Sequence, residues 1–448
     1  MPREIQRNKI QRAGFFLIHL YALSAWLNPT LNHLAFIGLA YLGLTNRPTR
    51  DWLIQNQVAR YSAGIAASIL ALSLPGIFEF NEQLANQTLS TSKWILLSGF
   101  VFLLPWIANQ RVKPENLFGL ILIGLLLGML LNTSPKEILR FNIGSDHTNW
   151  QPHFQFSTAG MAGLSGGLCL AGLVMYIDSF FECAKRQRWI RGVFWFCAVY
   201  LTGYMFIASQ SRISWLALLI TLPTGMFVRR AYTKQKYSEK TFAKPIFLIV
   251  CVASVLALGA WKNSALFKER MTRDFEVFSV QKSEQFEGSS FGLRLKMLEF
   301  GLQSIRQHPL LGWGNQGTAS IARRTGDLRF RSPEPDGRLI WFPHLHNTYL
   351  EILLRYGLVG LFLFISALLA SLLCLKRSIS GQHDPRMLNA LVFTGMGIVF
   401  FATCGLAGFQ IMQEEWRAPF SLLFALSFAG RFRIQAESPE PASTSAIR

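Results

Sequence analysis

The sequence predicts an all-α protein, a polytopic transmembrane helical bundle of about 12 spans with a large, partly helical loop between the ninth and tenth. Of its 448 residues, 51% are hydrophobic and only 15% charged. Apolar runs of membrane-crossing length recur along most of the chain, each bounded by charges, Asn or Pro, and a soluble core does not demand that repetition. Basic residues cluster in alternate short loops, as orientation in a membrane requires.

The spans fall near 13–28, 31–44, 58–78, 93–109, 117–132, 157–181, 189–208, 212–228, 245–261, 358–375, 387–408 and 418–431. The first follows Arg3, Arg7, Lys9 and Arg12, like the basic end of a signal peptide. Trp26-Leu27-Asn28-Pro29 offers no small-residue cleavage site, so the run is expected to be retained. With the N-terminus inside, the inner loops carry Arg47 and Arg50, Arg111 and Lys113, then Lys185, Arg186, Arg188 and Arg191. Arg229 to Lys244, Lys376 with Arg377 and Arg386, and Arg431 with Arg433 continue the series. Short loops of the other parity hold Glu79 with Glu82, or Glu414 with Glu415. Both termini are therefore expected on the cytoplasmic side, and residues 132–156, the turn Ser209–Arg212 and the long loop on the outer face. No nucleotide is available there, so a reaction on that face needs an already activated donor.

The chain divides into spans 1–261, an outer loop and interfacial helix 262–357, spans 358–431, and a Ser/Pro/Glu-rich tail 432–448 expected to be disordered. Within the loop, Leu293, Met297, Phe300 and Ile305 alternate with Arg294, Lys296, Gln303 and Arg306 at helical spacing over 291–307. His308-Pro309 stops that helix, and Leu311-Gly312-Trp313-Gly314-Asn315 reads as a turn. Lys262 to Pro343 holds thirteen basic and nine acidic residues, a basic excess that topology does not require on this side and that an anionic ligand explains. The net charge of +19 does not call for nucleic acid, because the bases sit between spans. Six scattered cysteines without C-x-x-C spacing read as buried small hydrophobes rather than disulfides or metal ligands.

Candidate chemistry gathers where the loop re-enters the membrane, at Pro343-His344-Leu345-His346-Asn347-Thr348-Tyr349-Leu350-Glu351. Thr348 to Glu351 fits a capping box, which starts a helix at about Thr348, with Glu351 and Arg355 paired on its polar face and a break at Gly357. His346 then stands just ahead of a helix N-terminus, where the dipole disfavours imidazolium and attracts anions: a neutral base beside a phosphate-binding end. The competing readings are two interfacial histidines with a structural role, or two metal ligands completed by His147 or His153. No H-E-x-x-H or carboxylate cluster supports metal, and no cofactor is expected. Arg212, in Ser209-Gln210-Ser211-Arg212 at the mouth of the eighth span, is the one base in a very short outer loop. An arginine there often only snorkels to headgroups, but its guanidinium also suits bidentate phosphate binding.

Three stretches carry a resemblance. They are Ser209-x-Ser211-Arg212 opening a span; Arg294 followed by His308-Pro309-Leu310-Leu311-Gly312-Trp313-Gly314; and His344-x-His346-Asn347-x-x-Leu350 followed by Tyr356-Gly357-Leu358-Val359-Gly360. Together, over roughly 195–375, they resemble the O-antigen ligase and polymerase superfamily of bacterial inner-membrane glycan transferases. The resemblance implies transfer of a glycan from an undecaprenyl-pyrophosphate donor at a periplasmic active site, without metal. Arg212 and Arg294 would hold the pyrophosphate and His346 would be catalytic, with His344, Asn347 and Ser211 in support. Chain length and the single large penultimate outer loop look most like the lipopolysaccharide ligase, whose acceptor is lipid A-core. A polymerase, or a transferase to protein Ser or Thr, would use the same donor. A lipid-linked glycan transporter is the alternative of another class, and would call for internal pseudo-symmetry and ionisable residues deep in several spans.

Overall fold

The computed structural model describes residues 2–79, 84–108, 112–133, 154–178, 185–209, 211–233, 290–315, 318–325, 331–333, 339–341, 344–382 and 384–437. The expected span 245–261, most of the outer loop 132–156 with His147 and His153, and Pro343 lie outside these residues.

The described chain is almost wholly helical. Its first half comprises α1 (Pro2–Ser24), α2 (Pro29–Thr45), α3 (Arg47–Gln55), α4 (Gln57–Glu79), α5 (Leu84–Leu97), α6 (Leu104–Ile107) and α7 (Pro114–Asn132). There follow α8 (Ala159–Met175), α9 (Lys185–Ala208), α10 (Arg212–Thr233), α11 (Ser290–Gln307), α12 (Thr318–Thr325), α13 (Thr348–Ser380), α14 (Pro385–Cys404) and α15 (Glu414–Glu437). Helices thus stand at eleven of the twelve expected span positions. Five stretches, Ser90–Ile107, Pro114–Asn132, Trp189–Ala208, Thr348–Ser380 and Pro385–Ala407, are long and apolar enough to cross a membrane by length and composition. The departure from the all-α class is small: an antiparallel ribbon in the loop pairs β1 (Arg331–Pro333) with β2 (Leu339–Trp341). At the C-terminal end, α15 runs on to Glu437, so helix continues past the point where the tail was expected to begin.

Two apolar cores organise the fold. The larger joins α1, α7, α8, α9, α10, α14 and α15, with Trp416, Tyr176, Phe206 and Phe400 among its largest buried side chains. Leucine, isoleucine and phenylalanine also face outward on many helices, Phe362, Leu219 and Leu131 among them, as lipid-facing surfaces require. The smaller core belongs to the loop: Met297, Phe300 and Ile305 of α11 meet Trp313, Ile321, Ala322, Leu345 and Leu354. This second core seats the loop on the first turns of α13, and it carries the histidines with it.

Candidate functional site

The site is built around a break in α13. Gly357 has φ 62° and ψ −164°, a conformation that side chains other than glycine's hydrogen essentially never adopt. The break frees backbone groups that must be satisfied, and the His308–Asn315 turn satisfies them. Leu358 N donates to Pro309 O at 2.9 Å, Val359 N to Leu310 O at 3.2 Å, and Trp313 N to Leu354 O at 3.0 Å. The turn approaches so closely that a Cβ on Gly357 would overlap the Leu310 carbonyl, and one on Gly312 (φ 69°) would meet the Arg355 backbone. Trp313 pins the far side by donating Nε1 to Ser304 O at 2.9 Å. The expected helix over 291–307, the turn and the break are therefore one interlocked unit.

The helix start differs from the expected capping box. Asn347, not Thr348, is the N-cap: its Oδ1 accepts from Tyr349 N and Leu350 N, both at 3.0 Å. Thr348 is withdrawn from that role because its hydroxyl donates to Gly408 O at 2.8 Å. Two of the first-turn amides are thereby taken by Asn347, and Glu351 N bonds to Asn347 O at 2.9 Å, so the helix end offers an anion less than the sequence suggested.

Glu351 and Arg355 are paired four apart as expected, with Arg355 NH2 at 2.7 Å from Glu351 Oε1, but they are buried rather than on a solvated face. They belong to a polar network under the site. Arg355 NH1 donates to Asn315 Oδ1 at 3.3 Å and to Ser90 Oγ at 3.4 Å, and Tyr356 OH donates to Asn315 Oδ1 at 3.0 Å. Asn315 Nδ2 in turn donates to Thr91 Oγ1 at 2.8 Å. The Arg355 guanidinium lies 5.5 Å from the Phe409 ring centroid.

Above this network sit the histidines. Leu345 is buried in the small core, and His344 and His346 flank it with their rings 4.4 Å apart. His346 has φ 51°, unusual for a residue with a Cβ, and its N–H donates to His344 Nδ1 at 3.3 Å. His344 therefore carries its neutral-state proton on Nε2. Burial first, and then the positive charge of Arg355, lowers His344 to about 4. Burial, then His344, then Arg294 lowers His346 to about 4, against an opposing contribution from Glu351. Both rings are thus neutral at pH 7, and burial rather than the helix dipole is the main reason.

Arg294 is exposed on α11, and its charge reaches His346. Arg212, also exposed, opens α10 at the same end of the bundle. It is linked to the histidine turn through neighbours: the Cys404 thiol approaches Ile213 O at 4.0 Å, and a Cβ on Gly405 would lie 3.3 Å from Thr348 Oγ1. Ser211 serves the helix start locally, with its hydroxyl 2.7 Å from that of Ser214. Asn347 divides its side chain between the cap and Leu406 O, to which Nδ2 donates at 2.9 Å. The structure also adds a wall that sequence reading did not single out, the turn after α14. Gly408 holds Thr348, and the Phe409 ring lies 5.4 Å from that of His344. Its signal in the sequence is faint: Gly405-Leu406-Ala407-Gly408-Phe409, a glycine-punctuated end to an apolar run. Among the described residues no group of His, Cys, Asp and Glu is arranged to hold a metal ion.

Comparison with known proteins bears on the same stretch. Residues 196–365 match the family model described as O-antigen ligase. That span begins in α9, takes in Arg212, Arg294 and the histidine turn, and ends just past the break at Gly357. A protein of Haemophilus influenzae, itself uncharacterized, is 23% identical over 190 residues, covering 41% of this chain and 43% of that relative. The match thus spans less than half the length of the relative. Over residues 196–365 the chain is thus similar to the O-antigen ligase family.

Proposed function

We propose that the protein transfers O-antigen polysaccharide from undecaprenyl pyrophosphate to lipid A-core at the periplasmic face of the bacterial inner membrane. In this reading the chain has twelve spans and both termini are cytoplasmic. The observation that carries it is the His344–His346 pair at the Asn347-capped start of α13, where the Arg294 charge acts on His346, at the end of the bundle that Arg212 shares. Arg212 and Arg294 bind the donor pyrophosphate, because guanidinium offers forked donors to phosphate oxygens and cannot lose its charge. The acceptor hydroxyl attacks the anomeric carbon of the donor glycan. As that C–O bond forms, the bond to the pyrophosphate oxygen breaks, and undecaprenyl pyrophosphate leaves with the electron pair. Its charge is met by the arginines, and the acceptor proton passes to His346.

A base lowered to about 4 is weak for this task, and the donor itself corrects that. Pyrophosphate bound at Arg294 supplies negative charge that offsets the guanidinium and lifts His346 back toward its ordinary value. The base is then strengthened only when there is substrate to act on. His344 supports His346 through its ring contact and its Nδ1, and Asn347 and Ser211 hold the two helix starts.

The test is transfer by purified protein from a lipid-linked glycan to lipid A-core, to a second lipid-linked glycan, or to a pilin-like protein. Product on lipid A-core supports the ligase. Product only on the second lipid-linked glycan makes the protein a polymerase, and product only on protein makes it an O-oligosaccharyltransferase. Movement of intact donor across vesicles without any transfer would make it a transporter.

A further inference from the structure

Glu351 is completely buried. Oε2 accepts from Leu345 N and from Thr318 Oγ1, each at 2.8 Å. Oε1 accepts from Arg355 Nε at 2.8 Å and lies 2.7 Å from Arg355 NH2. With its oxygens so engaged, the carboxylate is in no position to take a proton from substrate. A buried carboxylate–guanidinium pair is also weak evidence of stabilisation, since desolvating both ions consumes most of their attraction. The feature that distinguishes this pair is where it ends. It grips the N–H of Leu345, the residue between the histidines, next to a His346 backbone at φ 51°.

We infer that Glu351 is a positioning residue for His346, acting through the Leu345 amide; this rests on His346 being the base proposed above. Leu345 is fixed from two sides, its side chain in the small core and its amide on Glu351. Those two anchors hold the turn in its left-handed conformation and keep the half-buried His346 ring against His344. Arg355 contributes by keeping the carboxylate charged and aimed, and Asn315 and Phe409 hold Arg355 in turn. Without an acceptor, the Leu345 amide would be a buried orphan, and the turn would relax toward a conformation that releases it.

The experiment compares two double variants of the full-length protein in nanodiscs, Glu351→Gln with Arg355→Met and Glu351→Leu with Arg355→Met. Both lack the ion pair, and only the glutamine keeps an oxygen for Leu345 N. The Leu/Met protein is expected to lose about 10²-fold in kcat with donor KM unchanged, the scale of a misplaced reacting group. Its His346 titration, followed by NMR on isotope-labelled histidine, is expected to move up from about 4 toward 6.5 as burial is lost. The Gln/Met protein, which keeps an oxygen for Leu345 N, should retain much more of the wild-type kcat than Leu/Met and a His346 titration well below 6.5. If Leu/Met does not fold, Glu351→Asp serves instead. It retains charge for Arg355 but is too short for the Leu345 amide, so it should fold, melt somewhat below wild type and show the same loss. Equal kcat and an unmoved His346 titration in the variants that lack the Leu345 acceptor overturn the inference alone. Wild-type transfer by His346→Ala removes the base, and this inference with it.

Discussion

Replacing Gly357 by alanine tests the architecture of the site most sharply. The backbone there lies in a region reserved for glycine, so any Cβ carries strain of about 1–3 kcal/mol. The added methyl also overlaps the Leu310 carbonyl, which forces the His308–Asn315 turn outward. Three backbone hydrogen bonds then lengthen or break: Leu358 to Pro309, Val359 to Leu310 and Trp313 to Leu354. At about 1 kcal/mol each, with the strain, the expected loss is roughly 4–6 kcal/mol. That is a large part of the roughly 5–15 kcal/mol by which folded proteins are stable. Tryptophan fluorescence across a rising mole fraction of SDS reads the change, because Trp313 is buried in the small core that the turn closes. Gly119→Ala in α7 is the control, since a Cβ there meets nothing within 4 Å. It should be neutral or stabilising by up to about 1 kcal/mol. A Gly357→Ala protein that unfolds with wild type, or with Gly119→Ala, would refute the interlocked break and turn.

Other predictions follow from the same contacts. His344 and His346 are both lowered from 6.5 to about 4 in the folded protein, so the unfolded chain takes up protons first on acidification. Stability should therefore be unaffected above pH 6.5 and should fall as pH drops from there toward 4, as acid denaturation monitored by fluorescence would show. The acid limb of kcat/KM should lie near 4 and that of kcat higher, because bound pyrophosphate strengthens the base; a kcat/KM limb near 6.5 contradicts the half-buried neutral histidine. Arg294→Ala should raise donor KM and move the kcat/KM limb upward, and Arg294→Lys should recover little, because an ammonium lacks the fork. Asn315→Ala removes one hydrogen-bond partner from each of Arg355, Tyr356 and Thr91 and should cost about 2–4 kcal/mol in the SDS titration. Leu345→Ala should lose about 2–5 kcal/mol from the small core, with kcat falling in parallel.

Much of this site was legible in the sequence, and what was not has a common cause. Hydropathy placed the helices because burial in lipid leaves long apolar runs. Local chemistry placed the helix at 291–307, the turn after His308-Pro309 and the break at Gly357, since glycine and proline act within a few residues of where they stand. The cap was displaced by one residue. Both Asn347 and Thr348 are good caps, and the choice was made by Gly408, sixty residues on, which takes the threonine hydroxyl. Likewise the spacing that paired Glu351 with Arg355 could not tell a solvated face from a buried one. Burial follows from Asn315, Ser90 and Phe409, which arrive from three distant segments. Nor could sequence show that Asn347 consumes two of the amides an anion would have used.

The most direct measurement is glycan transfer by purified wild type and His346→Ala in nanodiscs, with lipid-linked O-antigen as donor and lipid A-core as acceptor. Wild type should form the linked product. His346→Ala should melt at the wild-type temperature, still bind donor through Arg212 and Arg294, and fall in rate by about 10²- to 10⁴-fold, the usual worth of a positioned base. Transfer at the wild-type rate by His346→Ala would contradict the assignment.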